Sequence, residues 1–326
     1  MGNEIFVFKK YNTQTKEYKM QAILDKKELL DLYNKDLDEL LEISSKYMSE
    51  KIEFCSLVNA RNGKCSQNCR YCAQSSHYRT DIEDYPLISV EQVKKAAIES
   101  KEHGAYRFAI VTSGKSPDEE DFDKVINLIK GVNEIDGVRS CASIGILTEE
   151  QAKALADAGL KRFHHNINTS ESYYPSVCTT HTWQDRLNTC KLVKKYGMEL
   201  CCGVILGMGE SVEQRIEMAL ELAEIQPDSI PINILMPIEG TPFENYLDKI
   251  DEENVLRTLA IFKIANPKSI LRFCGGRMRL SEENQELALK TCVEGILTGN
   301  YLTTTGKTPE QDIKTVEKIG KTLLEI

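Results

Sequence analysis

What the chain has little of narrows it first. It holds one tryptophan, nine prolines and nineteen glycines in 326 residues. No stretch gathers glycine, proline and serine into a linker, so one large domain is expected. No apolar run approaches the ~20 residues that cross a bilayer, so no membrane partner is expected. The first residues lack a basic segment followed by an apolar one, as a secretory signal would have, and a cytoplasmic location is expected. Positive charge is also short: 41 Lys and Arg against 50 Asp and Glu give a net charge of −9. Nucleic acid is therefore not an expected partner, since phosphate binding wants a basic face. Cysteine, in contrast, is plentiful at eleven. In a reducing compartment such thiols serve metals or catalysis, or fill the core, rather than form disulfides. Cys55, Cys178, Cys190 and Cys292 are expected to be ordinary residues.

Residues 20–50 place leucines at helical spacing among charges and read as helical. Residues 1–50 form an N-terminal helical extension and 51–326 the main domain. From residue 53, β-rich runs alternate with amphipathic helical stretches. Strands are predicted at 53–59, 106–113, 138–144, 161–167, 198–206, 229–235, 269–274 and about 295–302. Helices are predicted near 89–103, 119–132, 148–158, 182–196, 211–225, 251–265, 281–293 and 309–325. Thr148 and Ser281 stand as N-caps before acidic first turns. Eight such units imply a parallel sheet, most economically closed as a (β/α)8 TIM-type barrel, with functional residues at the C-terminal ends of strands.

The residues with the sharpest chemistry are Cys65, Cys69 and Cys72, spaced C-x3-C-x2-C with Tyr71 before the last. Structural zinc wants four ligands, usually in C-x2-C pairs, so this is a poor zinc site. It suits a four-iron cubane, which takes thiolates and here would keep one iron open. Residues 203–210 read Gly-Val-Ile-Leu-Gly-Met-Gly-Glu. Gly203 and Gly207 permit close approach of backbone to a flat ring, or simply a tight turn. Asn166 and Asn168 lie two apart on a predicted strand and share a face. They suit a polyhydroxylated ligand such as ribose, or buried hydrogen bonds between barrel layers. His164 and His165 point to opposite faces, which argues against a paired metal site. Arg186 is placed to meet a carboxylate bidentately, or is solvated.

The cysteine spacing and the G-x-I-x-G-x-x-E pattern, Gly203, Ile205, Gly207 and Glu210, together resemble the radical S-adenosylmethionine (SAM) superfamily. Within it, residues 73–78, 165–170, 230–233, 240–242 and 301–306 resemble biotin synthases, and the likeness spans about 45–308. It implies sulfur insertion between C6 and C9 of dethiobiotin, driven by SAM cleavage to methionine and a 5′-deoxyadenosyl radical, one SAM per C–H bond broken. By that resemblance Cys65, Cys69 and Cys72 hold the SAM cluster, and Tyr71 and residues 203–210 attend SAM. Asn166 and Asn168 contact its ribose, although the second is usually Asp, and Arg186 its carboxylate. Asn166 and Asn233 contact dethiobiotin. Arg61 stands where a lysine near the substrate carboxylate is usual. A flavodoxin or ferredoxin electron donor and a homodimer are also implied.

One departure matters. The resemblance implies a second, two-iron cluster held by three cysteines and an arginine. Cys141, Cys201 and Arg272 match, but Ala109 stands at the third cysteine and cannot ligate iron. Cys274, two residues beyond Arg272, shares its strand face, whereas Cys202 should point outward. The expected auxiliary set is Cys141, Cys201 and Cys274, with Arg272 nearby. Three thiolates suit a four-iron cluster whose open iron holds an extra sulfide. The alternatives are a related radical SAM barrel enzyme, such as a hydrogenase maturase or methylornithine synthase, or a non-catalytic iron–sulfur scaffold. A zinc-binding structural protein is a more distant one.

Overall fold

The structure, a computed structural model, describes residues 7–11, 18–22, 24–299 and 306–324. Among them eight parallel strands form the barrel: β1 (Lys51–Arg61), β2 (Arg107–Thr112), β3 (Arg139–Ser143), β4 (Arg162–His164), β5 (Glu199–Cys201, resumed as Val204–Leu206), β6 (Ser229–Ile234), β7 (Ile270–Phe273) and β8 (Gly295–Leu297). Each pairs in parallel with the next, and β8 pairs back onto β1 through Gly295↔Glu53, which closes the barrel. The (β/α)8 architecture expected from the strand–helix rhythm is therefore present.

The helices are α1 (Lys26–Tyr33), α2 (Leu37–Ser45), α3 (Val90–Glu102), α4 (Glu119–Asn133), α5 (Glu149–Asp157), α6 (Trp183–Lys195), α7 (Val212–Ile225), α8 (Glu252–Ala265), α9 (Glu282–Thr291) and α10 (Pro309–Lys318). Their starts are written locally. Ser89, Thr148, Thr182, Ser211 and Thr308 each accept from the third helical N–H, which answers with a side chain in a capping box. No helix among the described residues is long and apolar enough to cross a membrane.

The termini differ from expectation. An antiparallel pair, Val7–Tyr11 with Tyr18–Ala22, precedes α1, so the extension is helical only from Lys26. The last helix stops at Lys318, and Thr322–Leu323 then pairs with the start of β1. Most of the Tyr301–Gly306 segment lies outside the described residues. Strand β4 ends at His164, three residues sooner than its composition suggests.

Alternation along the strands sorts the side chains. Phe54, Phe108, Phe163, Leu200, Ile230, Leu271 and Ile296 point outward and are fully buried beneath the helices. The apolar core therefore lies between barrel and helix ring. The inward positions carry charged, polar and thiol side chains together with apolar ones such as Leu57, Ile205 and Leu297, and these line a cavity. Where strand β5 is interrupted, Gly203 lies close against β6: a Cβ there would lie 1.9 Å from the Pro231 carbonyl oxygen. Gly203→Ala is expected to cost about 1–3 kcal/mol through this overpacking, read as a lower urea midpoint of the cluster-free protein.

Candidate active site

The barrel floor is ionic. Glu53 of β1 sits beneath three guanidiniums. It accepts from Arg107 Nε at 3.0 Å and Arg162 Nη1 at 2.9 Å, and pairs with Arg272. Glu199 joins from the side, meeting Arg107 Nη2 at 2.7 Å and Arg162 Nη2 at 2.8 Å. Register explains the reach of Arg272. It lies opposite Gly295 of β8, which in turn lies opposite Glu53. A Cβ on Gly295 would meet the Arg272 guanidinium carbon at 3.1 Å. Glycine thus lets the side chain pass over β8 to the carboxylate. Burial alone would raise the Glu53 pKa, but Arg272, then Arg162 and Arg107, outweigh it and hold it at about 2. Glu53 in turn keeps Arg272 protonated against the penalty of its own burial. A guanidinium so engaged is no neutral ligand for iron.

Above this floor opens a cavity of about 410 Å³. Cys65, Cys69 and Cys72 border its mouth, on the loop after β1. The loop is pinned to the segment after β4 by Asn68, whose Oδ1 accepts from Thr179 N at 3.0 Å and Thr180 N at 3.2 Å. Deeper, four inward thiols line the wall: Cys55, Cys141, Cys201 and Cys274. Ala109 faces the same space. His164 Nδ1 lies 3.3 Å from Cys201 Sγ.

Tyr71, Asn166, Asn168, Arg186, Ile205 and Asn233 also border the cavity. Asn166 and Asn168 lie past the end of β4 rather than on it, and Asn168 takes φ 69°. Asn166 Oδ1 accepts from Gly203 N at 2.9 Å. The Asn168 Nδ2 is buried with no hydrogen-bond partner among the described residues. Arg186, in the first turn of α6, donates from Nε to Tyr174 OH at 2.7 Å and from Nη1 to the Asn166 carbonyl at 2.8 Å. Asn233 bridges neighbouring strands, its Oδ1 accepting from Gly275 N at 3.0 Å. His164 faces Cys201, while His165 stacks on Phe163 with centroids 6.2 Å apart, so the two serve no common metal.

Three expectations change. Arg61 does not border the cavity. Its Nη1 meets Asp121 Oδ2 at 2.7 Å, because the register slips between Asn59 and Arg61 and turns the side chain away. Lys115, in the loop after β2, borders the cavity instead and had no distinguishing signal in the sequence. In the Gly203–Glu210 stretch only Ile205 faces the cavity. Glu210 is spent on its own loop, accepting from Gly207 N at 2.9 Å and Arg215 Nε at 3.0 Å. Gly207 takes φ 89° at that turn. Finally, two cysteines expected to be ordinary are not. Cys55 lines the cavity, and Cys178 Sγ lies 3.7 Å from Cys69 Sγ and 3.2 Å from His181 Nδ1. Cys190 and Cys292 are packed thiols, and Cys202, 3.8 Å from Cys190 Sγ, lies outside the cavity as expected.

The donors present fit iron–sulfur clusters. Among the described residues only Cys69, Cys178 and His181 bring three ligating atoms within 4.8 Å of one another. The four deep thiols are thus spread too widely for a single ion, and a multi-iron cluster spans more. The unpartnered Asn168 amide, facing the cavity, fits a polar ligand such as SAM.

The chain matches known proteins over most of its length. Residues 61–223 match the Radical SAM superfamily and residues 231–322 the Biotin and Thiamin Synthesis associated domain. The chain is 45% identical over 279 residues to the biotin synthase of Acetivibrio thermocellus, covering 86% of this chain and 87% of that protein. It is 41% identical over 313 residues to that of Pelotomaculum thermopropionicum, covering 94% and 97%. In fold it resembles methylornithine synthase, with a TM-score of 0.79 at 17% identity over 93% of this chain and 94% of the other. The FeFe-hydrogenase maturase HydG of Carboxydothermus hydrogenoformans also has a TM-score of 0.79, at 14% identity over 91% and 75%. A thiol-mouthed (β/α)8 barrel with these matches is a radical SAM enzyme, using a four-iron cluster and SAM. More narrowly, the chain belongs to the biotin synthase family, whose members also carry an auxiliary iron–sulfur cluster.

The floor gives a pH prediction. Glu53 titrates near 2 in the fold and near 4.5 when unfolded. Its stabilisation should be complete above pH 4.5 and disappear as pH falls toward 2. Glu53→Gln should lose about 3–5 kcal/mol at pH 7, because it strands buried guanidiniums, and should flatten that acid limb. Urea unfolding of the cluster-free protein across the range checks both.

Proposed function

We propose that this chain inserts sulfur between C6 and C9 of dethiobiotin, forming biotin inside the barrel cavity. The observation that carries the reading is one cavity with loop thiols at its mouth and strand thiols in its depth, leaving room between them for a substrate. When bound, the cluster on Cys65, Cys69 and Cys72 supplies the electron that cleaves SAM to methionine and a 5′-deoxyadenosyl radical. The chain's own residues bind and orient. Arg186 is already braced by Tyr174 and the Asn166 carbonyl, which supports a fixed guanidinium for the SAM carboxylate. The buried Asn168 amide supports a contact to ribose, with Asn166 beside it. Ile205 and Tyr71 offer apolar surface to the adenine end. Gly203, Gly207 and Glu210 act at one remove, by holding the loop that carries Ile205.

Asn233 and Asn166 are the dethiobiotin contacts. Its carboxylate falls to Lys115 rather than Arg61, since Asp121 holds Arg61 outside the cavity. The auxiliary cluster is of four-iron type and draws on Cys141, Cys201 and Cys274, with Arg272 fixed beneath it. Three buried guanidiniums against two carboxylates leave a positive floor, which supports an anionic cluster of thiolates. The reductant is a flavodoxin or ferredoxin, the enzyme works as a homodimer, and the chemistry calls for a reducing cytoplasm.

The test is anaerobic reconstitution with iron and sulfide, then reduction in the presence of SAM and dethiobiotin. Biotin should appear with two 5′-deoxyadenosine released per molecule. SAM cleavage without biotin would mean a different substrate, and no cleavage would mean a scaffold. Lys115→Ala should raise KM for dethiobiotin about tenfold with kcat little changed, the cost of one charge-assisted contact. Arg61→Ala should leave KM within about twofold. Arg186→Ala should weaken SAM binding about tenfold or more, measured by equilibrium dialysis on the reconstituted enzyme.

A further inference from the structure

We propose that Cys55 is a fourth thiolate ligand of the auxiliary cluster, completing the set Cys55, Cys141, Cys201 and Cys274. The assignment rests on the reading of an auxiliary cluster given above and changes its coordination. A three-thiol set would leave one iron of a cubane without a protein ligand, whereas four thiols close the shell.

The argument is one of placement. Cys55 lies on β1 two residues after Glu53, so both share the inward face, Glu53 in the floor and Cys55 one layer above it. Its register partner on β8 is Leu297, and on β2 it is Arg107. The neighbouring inward position on β2 is Ala109, which offers no donor. Cys55 therefore supplies sulfur to the one stretch of wall, between β7 and β3, that otherwise has none. The four thiols then come from different quarters of the barrel: β1, β3, β5 and the end of β7.

The surroundings agree. Cys55 has only a weak contact of its own, Sγ to the Ser56 carbonyl at 3.8 Å. The remaining thiols are accounted for elsewhere: Cys178 against Cys69, Cys190 against Cys202, and Cys292 against Ser44 and Thr291. The Arg272 guanidinium lies in the field of Cys55, Cys201 and Cys274 together. It is withheld from coordination by Glu53, yet stays close enough to favour thiolates.

The experiment uses full-length protein carrying Cys65→Ala, Cys69→Ala and Cys72→Ala, reconstituted anaerobically, with and without Cys55→Ala. Iron and sulfide content, Mössbauer spectra and EPR after mild oxidation are read. The parent should hold four irons and resist oxidative loss of iron. Cys55→Ala should expose one iron, giving a changed Mössbauer subsite and, on oxidation, a three-iron EPR signal. Cys190→Ala, a packed thiol outside the cavity, should match the parent. In the otherwise wild-type chain, Cys55→Ala should still load the SAM cluster, which shows that the barrel has folded. Identical iron content, Mössbauer and EPR with and without Cys55 would overturn the assignment. So would two irons in the parent. A parent with no iron would overturn the auxiliary cluster itself, a failure distinct from retention of an unchanged cluster in Cys55→Ala.

Discussion

Everything in the barrel interior stands on the ionic floor. Glu53 is almost wholly buried and is tolerable there only because three guanidiniums converge on it. Those guanidiniums come from β2, β4 and β7, so one carboxylate on β1 ties together strands from around the circle. The arrangement closes the base of the barrel with polar matter. It also supplies a positive surface beneath the thiols. An all-apolar plug would stabilise the barrel equally well, but it would offer no charge to thiolates and no reason for Arg272 to stay in place.

The same alternation that buries phenylalanines under the helices releases the inward positions for function. Along β1 the inward series runs Glu53, Cys55, Leu57, from charge through sulfur to an apolar wall. Along β4 it runs Arg162 then His164, and along β7 Arg272 then Cys274. The layers therefore stack as floor, thiol belt and ligand cavity, with the loop thiols of residues 65–72 over the mouth. An enzyme that must deliver an adenosyl radical to one end of a small molecule and sulfur to the same carbons gains from such vertical order.

Much of this was legible beforehand. Each predicted barrel strand has its counterpart, because alternation within strands and capping residues at helix starts are local signals. The three-cysteine loop was legible from spacing alone, since its ligands are close in the chain. Misreadings occurred where the answer depended on register. The resemblance implies that Arg61 stands near the substrate carboxylate, but with a register slip between Asn59 and Arg61 its side chain pairs with Asp121. Glu210 looked like a ligand contact within its motif, but its carboxylate closes a loop with Gly207 and Arg215.

By itself, the sequence determined the class of fold, the loop that gathers Cys65, Cys69 and Cys72, and the loss of a thiol at Ala109. These follow from periodicity, from short spacing and from the identity of a single residue. Only the tertiary structure decided which distant residues meet. Cys55 and Cys274 are more than two hundred positions apart in the chain, and Glu53 and Arg272 likewise. Barrel closure brings β8 against β1, and a glycine at 295 lets Arg272 pass over β8 to Glu53. Such meetings depend on the stagger of a closed sheet, which is a property of all eight strands together and of no segment taken alone.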